Sequence, residues 1–147
     1  MEHFINSIKK DRLLAFSIGL VYLWFGALKF FPNLSPADTL AKDTIHQLTF
    51  GMIPENISII LLAIWEVVIG LFLMLNIQIR TTIALALVHI VMTFTPLFFF
   101  PDLSFQETPF TLTLVGQYIM KNLIIISALL IIYPTKNTLL LSQPHAK

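Results

Sequence analysis

Long apolar stretches separated by short polar ones make up most of this chain. Four of them approach the roughly 20 apolar residues needed to cross about 30 Å of hydrocarbon. They cover 13–31 (LLAFSIGLVYLWFGALKFF), 57–77, 81–100 (TTIALALVHIVMTFTPLFFF) and 111–133. The first outruns the apolar region of a signal peptide and meets KFFPN rather than a clean small-residue cleavage site, so it reads as a retained span. The pattern therefore predicts an all-α integral membrane four-helix bundle, a single domain over 1–147. Short connections favour an up-down-up-down course.

The first outer connection also carries a helical pattern. In SPADTLAKDTIHQLTFG, Ser35 suits an N-cap, Pro36 the first helical position and Asp38 the first turn. Leu40, Ile45 and Leu48 recur near helical spacing, and Gly51 suits the end. A short amphipathic helix at the outer interface is expected, covering the mouth of the bundle. A plain surface connector is the alternative.

Composition strengthens the membrane reading. Of the 147 residues 56% are hydrophobic and only 12% charged, against about a quarter charged in soluble domains. Mean hydropathy is +0.83. Charge placement then sets orientation. Lys9, Lys10 and Arg12 precede the first span, Arg80 lies between the second and third, and Lys136 follows the fourth. The other two connections carry Asp38, Asp43, Glu55, Asp102 and Glu107 with Lys42 as their one basic residue. The positive-inside rule puts both termini in the cytoplasm, with an inner (cytoplasmic) membrane as the expected location. No basic stripe suggests a nucleic-acid partner.

The chain has no Cys, which excludes disulfides, thiolate nucleophiles and iron–sulfur clusters within it. Of its four His, His89 alone lies inside an apolar stretch, so a bis-histidine haem would need a second chain. No HxxH or HExxH spacing supports zinc. No metal site, haem or cluster is expected.

Glu66 is the exception within the second span. About fourteen Leu, Ile, Val and Phe in 57–77, each worth roughly −0.3 to −0.6 kcal/mol, outweigh one central charge costing about 3. The helix inserts, and the carboxylate needs a partner. Residues three and four apart share a helix face. That groups Gly19, Tyr22, Gly26 and Lys29 in span one, Ala63, Glu66 and Gly70 in span two, and Thr82, Ala86, His89, Thr93 and Pro96 in span three. Span four gives Thr113, Gln117, Lys121 and Ala128, flanked by Gly116 and Asn122. Small and polar residues on one stripe are what membrane helices pack inward. Glu66, His89 and Lys121 each lie about 8 to 10 residues from a span end, near the midplane.

The expected pair is therefore Glu66 with Lys121, joined by His89 and Gln117, while Lys29 snorkels at the outer end of span one. Such a pair either fixes helix register or serves a site such as a proton relay or a head-group pocket. His89 is either a satisfied interior residue or part of that site. Trp24 and Trp65 are interfacial or lipid-facing aromatics, or with Tyr22 form an aromatic wall for a planar ring.

Several of these stretches together resemble the DoxX-like family of small four-helix membrane proteins, including its YkgB/RclC-type branch. GLVYLWFGALKFFP (19–32) is similar to a first span ending in G-x-x-K-[FL], here Gly26, Lys29 and Phe30. WEVVIGLFLMLNIQIR (65–80) resembles E-x-x-x-G-[LV] followed by a basic residue, here Glu66, Gly70, Leu71 and Arg80. GQYIMKNLIIISALL (116–130) is similar to the YkgB-type G-R-x-x-x-K-[DN], here Gly116, Lys121 and Asn122. Gln117 stands where that motif has Arg, so no anion-binding role carries over, and the first outer loop is shorter than in that branch. The resemblance implies links to quinone-connected sulfur oxidation, oxidative-stress resistance or membrane assembly.

Two functions fit. One is a redox-associated accessory subunit binding quinone or a similar lipid near the buried Glu/Lys cluster, with Glu66 and Lys121 transferring protons or holding the head group. The other is a non-enzymatic assembly or scaffold subunit with a structural charge pair. The first lacks an electron-transfer centre, so catalysis would need a partner or the quinone itself; a larger membrane complex or a homo-oligomer is the expected kind of partner. Small-solute transport has no broken half-helix pair or internal repeat behind it, although Pro96 and Pro101 sit near the end of span three.

Overall fold

A computed structural model of the chain describes residues 2–31, 34–35, 38–106 and 110–134, with side chains from residue 9. These residues form helices and one isolated bridge. In order they are α1 (Glu2–Leu28), α2 (Asp38–Leu48), α3 (Glu55–Leu75), α4 (Ile79–Met92), α5 (Pro96–Phe99), α6 (Pro101–Ser104) and α7 (Leu114–Ile132). Four helical segments are long and apolar enough to cross a membrane: Lys9–Leu28, Glu55–Leu75, Ile79–Phe99 and Leu114–Ile132. Their outer faces carry exposed Phe16, Leu71, Val88, Val91, Ile124 and Ile131. Apolar surface on that scale suits hydrocarbon, not water.

The closest helix contact is α1 on α3. A methyl group added at Gly70 would stand 2.6 Å from the Leu23 nitrogen and 2.7 Å from the Gly19 carbonyl oxygen. One added at Gly26 would stand 2.8 Å from Glu66 Cβ. Only glycines allow this approach. Gly19 meets Gly70 while Gly26 meets Glu66, so residue numbers rise along α1 as they fall along α3. Tyr22, Ile69, Leu73, Ile83, Ala86, Ile90, Leu129 and Ile132 build the shared core of α1, α3, α4 and α7.

Two elements end earlier than the hydropathy pattern predicts. The first span was expected to reach residue 31, but α1 stops at Leu28 and closes with tight turn bonds such as Phe31 N–H to the Leu28 carbonyl, 3.1 Å. Since Gly26 abuts Glu66, that end falls level with the middle of α3, about 12 Å short of Glu55. The third span, expected over 81–100 with Pro96 near its end, is present as the apolar segment Ile79–Phe99, but its helix α4 stops at Met92 and the chain turns at 93–95. Pro96 has no N–H for the Met92 carbonyl; Thr95 takes over with its hydroxyl at 2.7 Å and its N–H at 3.1 Å.

The space beyond these two ends holds the short elements. The expected helix of the first connection is present as α2, packed on α3 and α5. Asp38 N–H reaches the Ser35 carbonyl at 3.2 Å; Pro36 lies outside the described residues. After Leu48 the chain turns through Phe50 and Gly51, both at positive φ, and Gly51 N–H caps the His46 carbonyl at 2.8 Å. A bridge between Phe105 and Leu112 closes the second connection, and the Thr113 hydroxyl accepts from Gly116 N–H to cap α7.

Candidate functional site

Glu66 is buried on α3, held against α1 by the glycine contact at Gly26. Its Oε2 accepts from Lys29 Nζ at 2.6 Å, and its Oε1 faces His89 Nε2 at 3.3 Å. The side chains of Lys29 and Glu66 are 7% and 9% exposed, and that of His89 14%. On its other edge, His89 Nδ1 lies 3.1 Å from the Tyr22 hydroxyl, which lies 3.2 Å from the Ala86 carbonyl. The two rings meet edge-on with centroids 5.4 Å apart. Lys29, Glu66, His89 and Tyr22 thus form one continuous polar chain.

Burying an ion pair is costly unless all its hydrogen-bonding capacity is used. Here both carboxylate oxygens have a donor, and Lys29 also leans on the Phe25 carbonyl at 3.5 Å. Among the described residues no buried side-chain nitrogen or oxygen is left without a partner. Lys29 moreover places its positive charge at the C-terminal end of α1, where the helix dipole favours it.

Hydrogen counting shows what the chain can do. With Glu66 ionised, His89 donates Nε2–H to it, and the bare Nδ1 of a neutral imidazole accepts the Tyr22 O–H. If Nδ1 gains a proton, the Tyr22 oxygen accepts it and the hydroxyl hydrogen turns to the Ala86 carbonyl. Both protonation states are satisfied without moving a heavy atom. The imidazole thus has a polar partner on each of its two nitrogens.

This arrangement corrects the expected pairing. Lys121 does not meet Glu66: it is exposed on α7, with Nζ 4.9 Å from the centre of the Tyr118 ring. Gln117 is exposed too, and donates to the Leu112 carbonyl at 3.4 Å. The inward face of α7 is instead Gly116, Ile119, Leu129 and Ile132, because Gly116 packs on the Ser104 carbonyl and the two last residues enter the core. That leaves the stripe of Gln117 and Lys121 turned outward. Lys29, expected to snorkel, reaches inward because α1 ends level with the middle of α3, beside Glu66. Asn122 lies apart from the cluster: its Nδ2 donates to Thr93 Oγ1 at 2.8 Å, tying α7 to the turn that follows α4.

The expected aromatic wall is not assembled either. Tyr22 is buried, whereas Trp24 and Trp65 are 65% and 42% exposed and face outward. Sequence reasoning gave Tyr22 an aromatic role and missed its hydroxyl. A signal was available, since Gly19, Tyr22, Gly26 and Lys29 share the stripe that packs closest. No group of three or more His, Cys, Asp or Glu able to hold a metal occurs among the described residues.

Comparison with protein-family models, curated protein sequences and solved structures finds no match to this chain.

Proposed function

We propose that this chain is a DoxX-like, four-span, up-down-up-down protein of the inner membrane with both termini in the cytoplasm. In this reading it serves as an accessory subunit that exchanges protons with a quinone or similar redox lipid. The observation carrying the reading is the His89 imidazole held between the Glu66 carboxylate and the Tyr22 hydroxyl. Converting a quinone to a quinol takes two electrons and two protons. With no Cys and one intramembrane His in the sequence, this reading takes the electrons from a partner redox subunit while the cluster relays protons. Basic residues at the Lys9–Arg12 and Arg80 ends support the assigned sidedness.

A saturation titration with a short-chain ubiquinone tests it, read by quenching of Trp24 and Trp65 fluorescence in purified protein. Glu66→Gln and His89→Gln are each expected to weaken saturable quenching about tenfold, roughly 1.4 kcal/mol. Unchanged quenching in both variants, with the fold intact, overturns the proposal.

That every buried polar atom of the cluster already has a protein partner favours a second reading, in which the four side chains lock α1, α3 and α4 together in a scaffold subunit. Co-purified partner chains that remain bound to Glu66→Gln would support that reading.

A further inference from the structure

At the opposite end of the α1–α3 seam the two helices part. A groove of about 290 Å³ opens there, lined by Arg12, Ala15 and Phe16 of α1 and by Leu73–Asn76 of α3. Its origin lies in a seven-residue repeat. Gly26 and Gly19 make the two closest contacts with α3; the next position on that stripe is Arg12, and α3 ends beside it at Leu75 with Asn76 in the left-handed region. A long cationic side chain therefore replaces a glycine where the seam runs out.

We propose that this groove binds an anionic phospholipid, its phosphate on the Arg12 guanidinium and the upper part of one acyl chain against Phe16 and Met74. Three observations favour that occupant. Arg12 is exposed, and among the described residues it has no hydrogen-bond or ion-pair partner. It lies three residues inside the apolar segment that starts at Lys9, about 4.5 Å, which is head-group depth. Five of the seven residues lining the groove are apolar, with Arg12 and Asn76 as its polar members. A guanidinium matches phosphate geometry with paired donors. Lys9, one turn nearer the water on the same side, adds a second exposed cation. The adjacent carboxylate, Asp11, projects about 100° away around the helix. A basic pocket between spans at a membrane surface suits a lipid head group.

The test uses purified full-length protein in mixed micelles containing phosphatidylglycerol or phosphatidylcholine. Thermal unfolding midpoints and native mass spectrometry are the readouts. Wild type is expected to retain one phosphatidylglycerol through delipidation and to be stabilised by that lipid more than by phosphatidylcholine. Arg12→Gln should weaken phosphatidylglycerol binding about tenfold, with Arg12→Lys partly restoring it and Lys10→Gln, on the other side of α1, matching wild type. Equal response of wild type to the two lipids overturns the proposal whatever the variants do. Wild-type binding by Arg12→Gln overturns it too. Displacement of the lipid by millimolar inorganic phosphate would identify a free-anion site instead and equally end it. None of these readouts involves quinone, so the outcome is independent of the cluster around Glu66.

Discussion

Lys29 and Lys121 are the same residue in similar sequence surroundings, each beside long apolar runs, yet the molecule uses them in opposite ways. Lys29 is buried against a carboxylate at 2.6 Å; Lys121 lies outside, over the Tyr118 ring. Distance from a span end does not separate them, and by that measure Lys121 is the deeper. What separates them is backbone proximity. Along α1 and α3 the glycines at 19, 26 and 70 bring the backbones close enough for a lysine at the end of one helix to reach the middle of the other. On α7 Gly116 makes its close contact with the Ser104 carbonyl, far from Lys121 in rotation about the helix, and Ile119, Leu129 and Ile132 fill the inward face. The small residues choose the cation.

Identical substitutions at the two lysines put this contrast at its sharpest. Lys29→Met leaves Glu66 buried with only His89 as donor and is expected to cost about 3 kcal/mol, the lower end for breaking a buried pair. Lys121→Met is expected to leave stability unchanged. Unfolding midpoints in mixed detergent measure both; equal losses would show that the pairing with Lys29 is not what stabilises the seam. The double variant Lys29→Met/Glu66→Leu should recover part of the loss, because an apolar pair of similar size replaces the buried ionic one while His89 Nε2 gives up its acceptor. Recovery of stability together with loss of quinone quenching would separate the structural from the functional use of the pair.

Gly70→Ala comes next. Its new methyl would meet backbone atoms of Leu23 and Gly19, none of which can rotate away. Overpacking of that kind costs about 1–3 kcal/mol. It should also loosen the reach of Lys29 to Glu66, so a double-mutant cycle with Lys29→Met should show non-additivity. Strict additivity would mean that the glycine contact and the ion pair act independently.

The sequence carried the coarse plan because the relevant signals are strong. Twenty-residue apolar runs mark spans, and Asp38 in the first turn and Gly51 just past the end bracket α2, which starts later than an N-cap at Ser35 would place it. Glu66 as the point requiring partners was equally legible. The facing of α7 was not, because Leu and Ile surround that helix on all sides and its polar residues hardly bias rotation. Nor was the depth at which α1 ends, which depends on where α3 places Gly70 and Glu66. Span three misled for a different reason. Its apolar composition continues to Phe100, so hydropathy passes over a turn made by Pro96 together with the Thr93 and Thr95 hydroxyls, which donate to the Ile90 and Met92 carbonyls. The Gly19–Tyr22–Gly26–Lys29 stripe held the answer for Lys29, once spans are allowed to end at unequal depths.

The smallest expected effect concerns that turn. Asn122 Nδ2 donates to Thr93 Oγ1, and the Thr93 hydroxyl in turn donates to the Ile90 carbonyl at 2.6 Å. Thr93 lies one helical turn beyond His89, so this contact holds the end of α4 next to the turn that carries the imidazole. Asn122→Ala removes one neutral hydrogen bond, worth about 1 kcal/mol. Because Thr93 keeps its carbonyl partner, no buried group is orphaned and the loss should stay near that value. A functional consequence is nevertheless expected, since a small change in the α4 turn moves His89 relative to two partners at once. Asn122→Ala should therefore weaken quinone quenching by more than Lys121→Met, its neighbour in sequence, which touches neither the turn nor the cluster. Equal quenching by the two variants would show that the α4 turn does not position His89, leaving the α1–α3 seam as the sole determinant of the site's geometry.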